Sequence, residues 1–248
     1  MVTIKSLNEI MLMKDAGKIL AETLELLREN IKAGISTKQL DKIAHEYIRK
    51  QNAVPSFLNY NGYPASVCVS LNNEIVHGIP GKRILRDGDI VSIDVGVCYK
   101  GYHADAARTY GVGEISPEAA RLVEVTKQSF YEGIKHAKEG NRLGDISNAI
   151  QMFVEENGYS VVRDLVGHGI GANLHEAPDV PNFGTAGRGI RLQSGMTLAI
   201  EPMVNMGGHE IRTLKDGWTC VTKDNTLSAH YENTIVITDD ECEIITKL

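Results

Sequence analysis

His77-Gly78-Ile79-Pro80, followed by Gly88-Asp89-Ile90-Val91-Ser92-Ile93-Asp94, has a counterpart in His175-Glu176-Ala177-Pro178, followed by Gly195-Met196-Thr197-Leu198-Ala199-Ile200-Glu201. Each copy opens on a His-x-x-Pro turn. Each closes on a glycine, four intervening residues, an isoleucine and a carboxylate. A segment repeated once implies two halves related by a pseudo-twofold axis, with their acids and histidines meeting at one centre. Acids gathered there repel one another and cannot all stay ionised without cations, so the repeat points to a metal site.

Working outward, each half opens on a pair of helices. Ser6-Leu-Asn-Glu9 and Ser36-Thr-Lys-Gln39 are capping boxes. Helical spacing of Ile10, Met13, Ala16, Gly17, Leu20, Leu24 and Leu27 predicts a helix to about Asn30. Leu40, Ile43, Ala44, Tyr47 and Ile48 form the stripe of the second. Residues 54–66 read as an aromatic-bearing loop, and 66–70 with 74–76 as a hairpin turned at Asn72-Asn73. Ile90–Val97 and Tyr102–Tyr110 predict a hairpin turned at Lys100-Gly101. That turn would set Gly96 opposite Asp105, leaving Asp94 and Asp105 diagonal on one face. Ser116-Pro117 starts a helix to about Lys138, and a further helix spans about Leu143–Asn157. Later strands are expected at 161–166, 196–204, 209–213 and 232–238. The expectation is one α+β domain over residues 1–248, with halves of about 1–110 and 111–248. Its strands are mostly antiparallel and its helices lie on the outer face.

Bulk properties narrow the function. A net charge of −6 without a basic block excludes an evident nucleic-acid groove. Cys68, Cys98, Cys220 and Cys242 lack Cys-x-x-Cys spacing, which argues against a zinc knuckle or redox pair and for free thiols in a reducing cytosol. No secretory signal or membrane span is visible, and a cytoplasmic location is expected.

The chemistry rests on acids in strand-like sequence. Asp94, Glu201 and Glu232 each adjoin an apolar run, and a buried acid must be paired or bind a cation. One alone would read as an edge-strand acid facing water; with Asp105 there are four. Gly167-His168-Gly169-Ile170-Gly171 sets a histidine among glycines that let backbone come close to a ligand. His168 or His175 could ligate metal while the other touches substrate; spacing does not assign which. Four carboxylates balance two divalent cations, and an added imidazole suits Mn, Fe, Co or Zn. Such a pair would bridge a water, supply hydroxide and polarise a carbonyl. That chemistry hydrolyses an amide or ester without a serine or cysteine nucleophile, and no Gly-x-Ser-x-Gly elbow, P-loop or dinucleotide fingerprint is present.

Val76-His77-Gly78-Ile79-Pro80, Asp89 to Val95, Gly167 to Gly171, Leu174 to Pro178, Ile200-Glu201-Pro202 and Ser228 to Thr234 together resemble the type I methionine aminopeptidases of the pita-bread fold. The resemblance covers nearly the whole chain. It implies metal ligands at Asp94, Asp105, His168, Glu201 and Glu232, with Asp105 and Glu232 bridging two ions. Asp94 would complete one ion, and His168 with Glu201 the other. It makes His77 and His175 substrate-facing, with His175 stabilising the developing oxyanion, and Glu201 a proton carrier. The methionine pocket would comprise Phe57, Tyr60, Tyr63, Cys68 and Trp218. Phe57 and Leu174 depart from relatives, which often carry Cys and Phe there, and Leu165 stands where an aromatic or Met is common. The two pocket changes could offset each other in volume.

The step from His168 to Glu201 leaves no room for the type II insertion, so the compact bacterial form is implied. The expected partners are peptides and nascent polypeptide N-termini, with ribosome association a family expectation and a monomer the expected state. Three rivals are an X-Pro aminopeptidase or prolidase, a binding module that kept the fold, and a metal-free core of satisfied acids. Prolidase-like chains carry an extra N-terminal domain. A pseudoenzyme usually loses ligands, and all five are here. The metal-free core leaves like charges buried together.

Overall fold

Both expected capping boxes close in the computed structural model, which describes residues 2–247. The Ser6 amide donates to Glu9 Oε2 at 2.8 Å and the Ser36 amide to Gln39 Oε1 at 2.9 Å. They open helices α1 (Leu7–Asn30) and α2 (Thr37–Lys50). α1 buries Met13, Ala16, Gly17, Leu20, Leu24 and Leu27, and α2 buries Leu40, Ala44 and Ile48. Ile43 and Tyr47 are only partly buried; Tyr47 sends its hydroxyl to Glu22 of α1 at 2.9 Å.

Under these helices lies the long hairpin Ile90–Tyr99 and Tyr102–Gly111. Lys100 and Gly101 both take positive φ, 48° and 85°, which matches the twist of a two-residue hairpin turn. Gly96 faces Asp105 and Asp94 faces Ala107, the expected register. Val67–Leu71 pairs on the other side, with Cys68 opposite Asp94. The hairpin expected between residues 66–70 and 74–76 does not form. Asn72 turns at φ 57° and is held by Asp89 and the Ile90 amide, so Glu74–Val76 leaves to pair with Cys220–Thr222. The 54–66 loop contributes a short strand, Val54–Pro55, to the hairpin sheet.

The second half repeats the plan in shorter pieces. α3 (Pro117–Ile134) starts at the Ser116 cap and stops short of Lys138, while α4 (Leu143–Glu156) ends near its expected limit. The strand expected over 196–204 divides into Thr197–Ile200 and Met203–Asn205, because Pro202 between them has no N–H to donate. Those expected at 161–166, 209–213 and 232–238 shrink to Ser160–Val161, Ile211–Thr213 and Asn233–Val236. Gly167–Gly169 and Ser228–His230 are strands that the periodicity did not predict.

All strand pairings among the described residues are antiparallel. Each helix pair covers its own core. Leu20, Leu24, Leu40 and Ile48 meet Val69, Ile93 and Val95; Leu122, Phe130, Ile146 and Ile150 meet Leu198, Ile200 and Ile235. The halves join where the Glu232 amide donates to the Ala107 carbonyl at 3.0 Å and the Asp105 amide to Thr234 Oγ1 at 2.8 Å. This seam brings acids from opposite halves together. Among the described residues no helix is long and apolar enough to cross a membrane.

Candidate metal centre and active site

The long hairpin and the short strands of the second half converge on a cavity of about 440 Å³ lined by Asp94, Asp105, His168, Glu201 and Glu232, with His77, His175, Phe57, Tyr60, Tyr63, Cys68 and Trp218. The residues expected as ligands, substrate contacts and pocket are thereby brought together, while Leu165 lies apart, packed against Ile75, Val162 and Met203. Asp94 and Asp105 project from the regular hairpin. Glu232 stands on the seam. Glu201 follows Thr197–Ile200 just before Pro202. His168 is the middle of Gly167–Gly169, where a Cβ on Gly167 would lie 2.4 Å from the Ala199 carbonyl oxygen and one on Gly169 2.3 Å from that of Ala177. Only glycines on both sides let the His168 strand seat this deeply.

The acids pack around unsatisfied atoms. Asp94 Oδ1 and Asp105 Oδ1 are buried without a hydrogen-bond partner. Burial, the leading cause, pushes the carboxyl of Asp94 up to about 7. Burial and the neighbouring acids raise Asp105, Glu201 and Glu232 well above the usual carboxylate range. His168 Nε2 lies 3.9 Å from Asp105 Oδ2 and 3.7 Å from Glu201 Oε1, outside hydrogen-bond range. Its Nδ1 donates to the Gly169 carbonyl at 2.8 Å, and burial then His175 lower its pKa to about 3. The ring is neutral, with a bare Nε2 lone pair facing the acids. Unpartnered carboxylate oxygens beside an oriented imidazole fit divalent cations, whose charge would relieve the repulsion. Ligating atoms of Asp105, His168 and Glu232 lie within 4.8 Å of one another, as do those of Asp94, His230 and Glu232.

His230 is the residue that sequence reasoning missed. Only 1% exposed, it ends the Ser228–His230 strand two positions before Glu232. Period-two alternation from Glu232 was the available signal.

The two histidines expected to face substrate, His77 and His175, differ in setting. His175 is exposed at the cavity mouth and its Nδ1 lies 2.8 Å from the Tyr60 hydroxyl. The cavity walls still strip enough water from its ring to lower its pKa. His77 is partly buried at φ 61°, a region that non-glycine residues rarely adopt. Burial, then His175, lowers it to about 4. Next to it, Gly78 packs so tightly that a Cβ would lie 2.3 Å from the Val69 carbonyl oxygen. The apolar end of the cavity holds Phe57, Leu174 and Cys68, all buried, with Tyr63 edge-on to Trp218 at 5.1 Å. Phe57 fits because Gly96 has no side chain: a Cβ there would meet its ring at 2.7 Å.

Comparison with known proteins agrees with this geometry. The model of metallopeptidase family M24 matches residues 11–239. A methionine aminopeptidase from Clostridium perfringens is 59% identical over 246 residues, 99% of each chain. The crystal structure of methionine aminopeptidase from Thermotoga maritima superposes with a TM-score of 0.99 at 46% identity, over 100% of both chains. An Xaa-Pro dipeptidase from Bacillus anthracis gives 0.81 at 25% identity, over 99% of this chain but 62% of the other.

Proposed function

This chain belongs to metallopeptidase family M24 and has its α+β pita-bread fold, and from that premise we propose that it is a methionine aminopeptidase. It hydrolyses the first peptide bond of peptides and nascent proteins that begin with methionine, preferably when the second residue is small. The observation that carries the reading is one cavity joining an acid-and-imidazole cluster to an apolar, aromatic end. The prolidase-like relative shares the fold at 25% identity, against 59% and 46% for the methionine aminopeptidases.

Asp94, Asp105, His168, Glu201 and Glu232 would hold the divalent ions. Ions in that position would acidify water and polarise a carbonyl. The chain's own groups do the rest. The Tyr60 hydroxyl lies 2.8 Å from His175 Nδ1, and by donating there it would leave the proton on Nε2 to hydrogen-bond the scissile peptide as negative charge develops. Its lowered pKa keeps that ring a neutral donor. Glu201, partly buried and raised in pKa, is suited to take and return a proton. His77 is held by its strained backbone facing the same cavity. Phe57, Tyr60, Tyr63, Cys68 and Trp218 receive the methionine side chain, whose thioether suits aromatic walls. All four cysteines are unpaired, which fits a reducing compartment.

The test is a panel of Met-Gly-x, Leu-Gly-x and x-Pro peptides with added Mn²⁺ or Co²⁺. Rapid cleavage of the first alone is expected. Equal rates on all three, or rates indifferent to metal, would refute the reading.

A further inference from the structure

His230 lies outside the ligand set that the family resemblance implies, yet its position demands a partner. Both ring nitrogens are buried and neither has a hydrogen-bond partner. Nε2 lies 3.7 Å from Glu232 Oε2 and 3.8 Å from Glu201 Oε2, too far for a hydrogen bond. A histidine that merely filled the core would leave two polar atoms unsatisfied at a cost of about 1–3 kcal/mol each.

The ring is aimed by its backbone. The His230 amide donates to Thr109 Oγ1 at 2.9 Å, and that hydroxyl donates back to the His230 carbonyl at 2.9 Å. The strand is thereby locked to the hairpin that carries Asp94 and Asp105. The two sets of close donor atoms, Asp94 with His230 and Glu232, and Asp105 with His168 and Glu232, each contain one imidazole and share Glu232. The 3.7 Å separation from Glu232 suits neighbouring donors around a single cation better than a direct ion pair.

We propose that His230 offers Nε2 as a ligand to the divalent ion held by Asp94 and Glu232, so that each ion of the pair carries one imidazole. The proposal rests on the metallopeptidase reading above. A second nitrogen donor shifts the centre toward Fe, Co or Zn and away from Mn. His230 differs from His168 in one respect: no carbonyl accepts from its Nδ1. Without that tether it is the weaker of the two nitrogen ligands.

The experiment uses the full chain, stripped of metal and titrated calorimetrically with Co²⁺ and Mn²⁺, as wild type, His230→Asn and His230→Leu. X-ray absorption and pulsed electron paramagnetic resonance count the coordinated imidazoles. Wild type should bind two ions with two imidazoles. Both variants should keep one tight ion, lose at least about tenfold in affinity for the other, and retain one imidazole. The loss should be larger for Co²⁺ than for Mn²⁺. Circular dichroism identifies a variant that fails to fold, and the smaller, polar Asn substitution guards against that outcome for Leu. Two ions bound, with an unchanged imidazole count and affinity in a folded variant, would overturn the His230 assignment alone. A wild type that binds no divalent ion would overturn it together with the metallopeptidase reading.

Discussion

The two copies of the repeated segment share a pattern and not a structure. In the first, the run to Asp94 opens a hairpin of two ten-residue strands, and both of its acids stand on one regular face. In the second, the run to Glu201 is a four-residue strand that ends at Pro202, and the other polar side chains arrive singly on neighbouring short strands or just beyond them. The histidines diverge too. His77 sits in a strained loop, whereas His175 precedes the strand Glu176–Val180, so its His-x-x-Pro segment is no simple turn. The first half is a platform and the second a set of separate fingers closed onto it. A repeated sequence pattern can thus supply an asymmetric site, which suits a peptide substrate with two different ends.

The hardest test of that division is to remove one central acid from each half. Asp105→Ala takes it from the platform and Glu232→Ala from the fingers. Each is expected to lower metal stoichiometry and cut turnover by about 10³-fold or more, with circular dichroism unchanged. If either variant keeps its activity, the two halves do not share the centre in the way proposed.

Next in size are the histidines. His175→Ala should reduce kcat by about 10²–10³-fold while metal content stays at the wild-type level. Tyr60→Phe removes the hydroxyl beside His175 Nδ1, and a net hydrogen bond of about 1 kcal/mol corresponds to a roughly fivefold loss. A metal-depleted His175→Ala product would move that residue from the substrate to the ions.

The pocket allows a smaller test of how independent the halves are. Phe57 comes from the first half and Leu174 from the second, and both face one apolar cluster. Phe57→Cys should leave a void costing about 3 kcal/mol. Leu174→Phe should overpack the same space by about 1–3 kcal/mol. The double variant should return to within about 1 kcal/mol of wild type and recover selectivity for methionine over leucine, read by thermal unfolding and peptide rates. Additive losses would mean that the two sites do not compensate.

The sequence revealed most where local rules govern. Ser6 and Ser36 announced α1 and α2, and Lys100-Gly101 set the register that makes Asp94 and Asp105 neighbours. It revealed least where distant partners decide. Nothing near Asn72 shows that Glu74–Val76 will pair with Cys220–Thr222 rather than fold back on Val67–Leu71. The strand Gly167–Gly169 is only three residues long and mostly glycine, so it has no alternation to read; its extended form is imposed by neighbours on both sides. His230 escaped because Ser228-Ala229-His230-Tyr231-Glu232-Asn233 has no clean apolar alternation to mark an inward face, and only its spacing from Glu232 hints at one. Its role becomes visible only when the seam sets it against Glu201 and Glu232.

The smallest expected effect compares how each half anchors a helix. Glu9 accepts from the Ser6 amide and hydroxyl and from the Tyr102 hydroxyl, which together hold its carboxyl down at about 2. In the second half Asp145 accepts from the Arg142 and Gly187 amides, and those bonds lower it as well. A carboxyl whose folded pKa lies below its unfolded value of about 4 stabilises the fold above that value and loses the contribution as pH falls. Glu9→Gln and Asp145→Asn should therefore each cost about 0.5–1 kcal/mol near neutral pH, the range of a helix cap. The Glu9→Gln deficit should narrow below pH of about 4 and close near pH 2, as the wild-type carboxyl itself takes up a proton. Denaturant unfolding across that range measures both variants. A Glu9→Gln deficit that stayed constant with pH would mean that its hydrogen-bond geometry matters and its charge does not, so the start of α1 would gain nothing from ionisation.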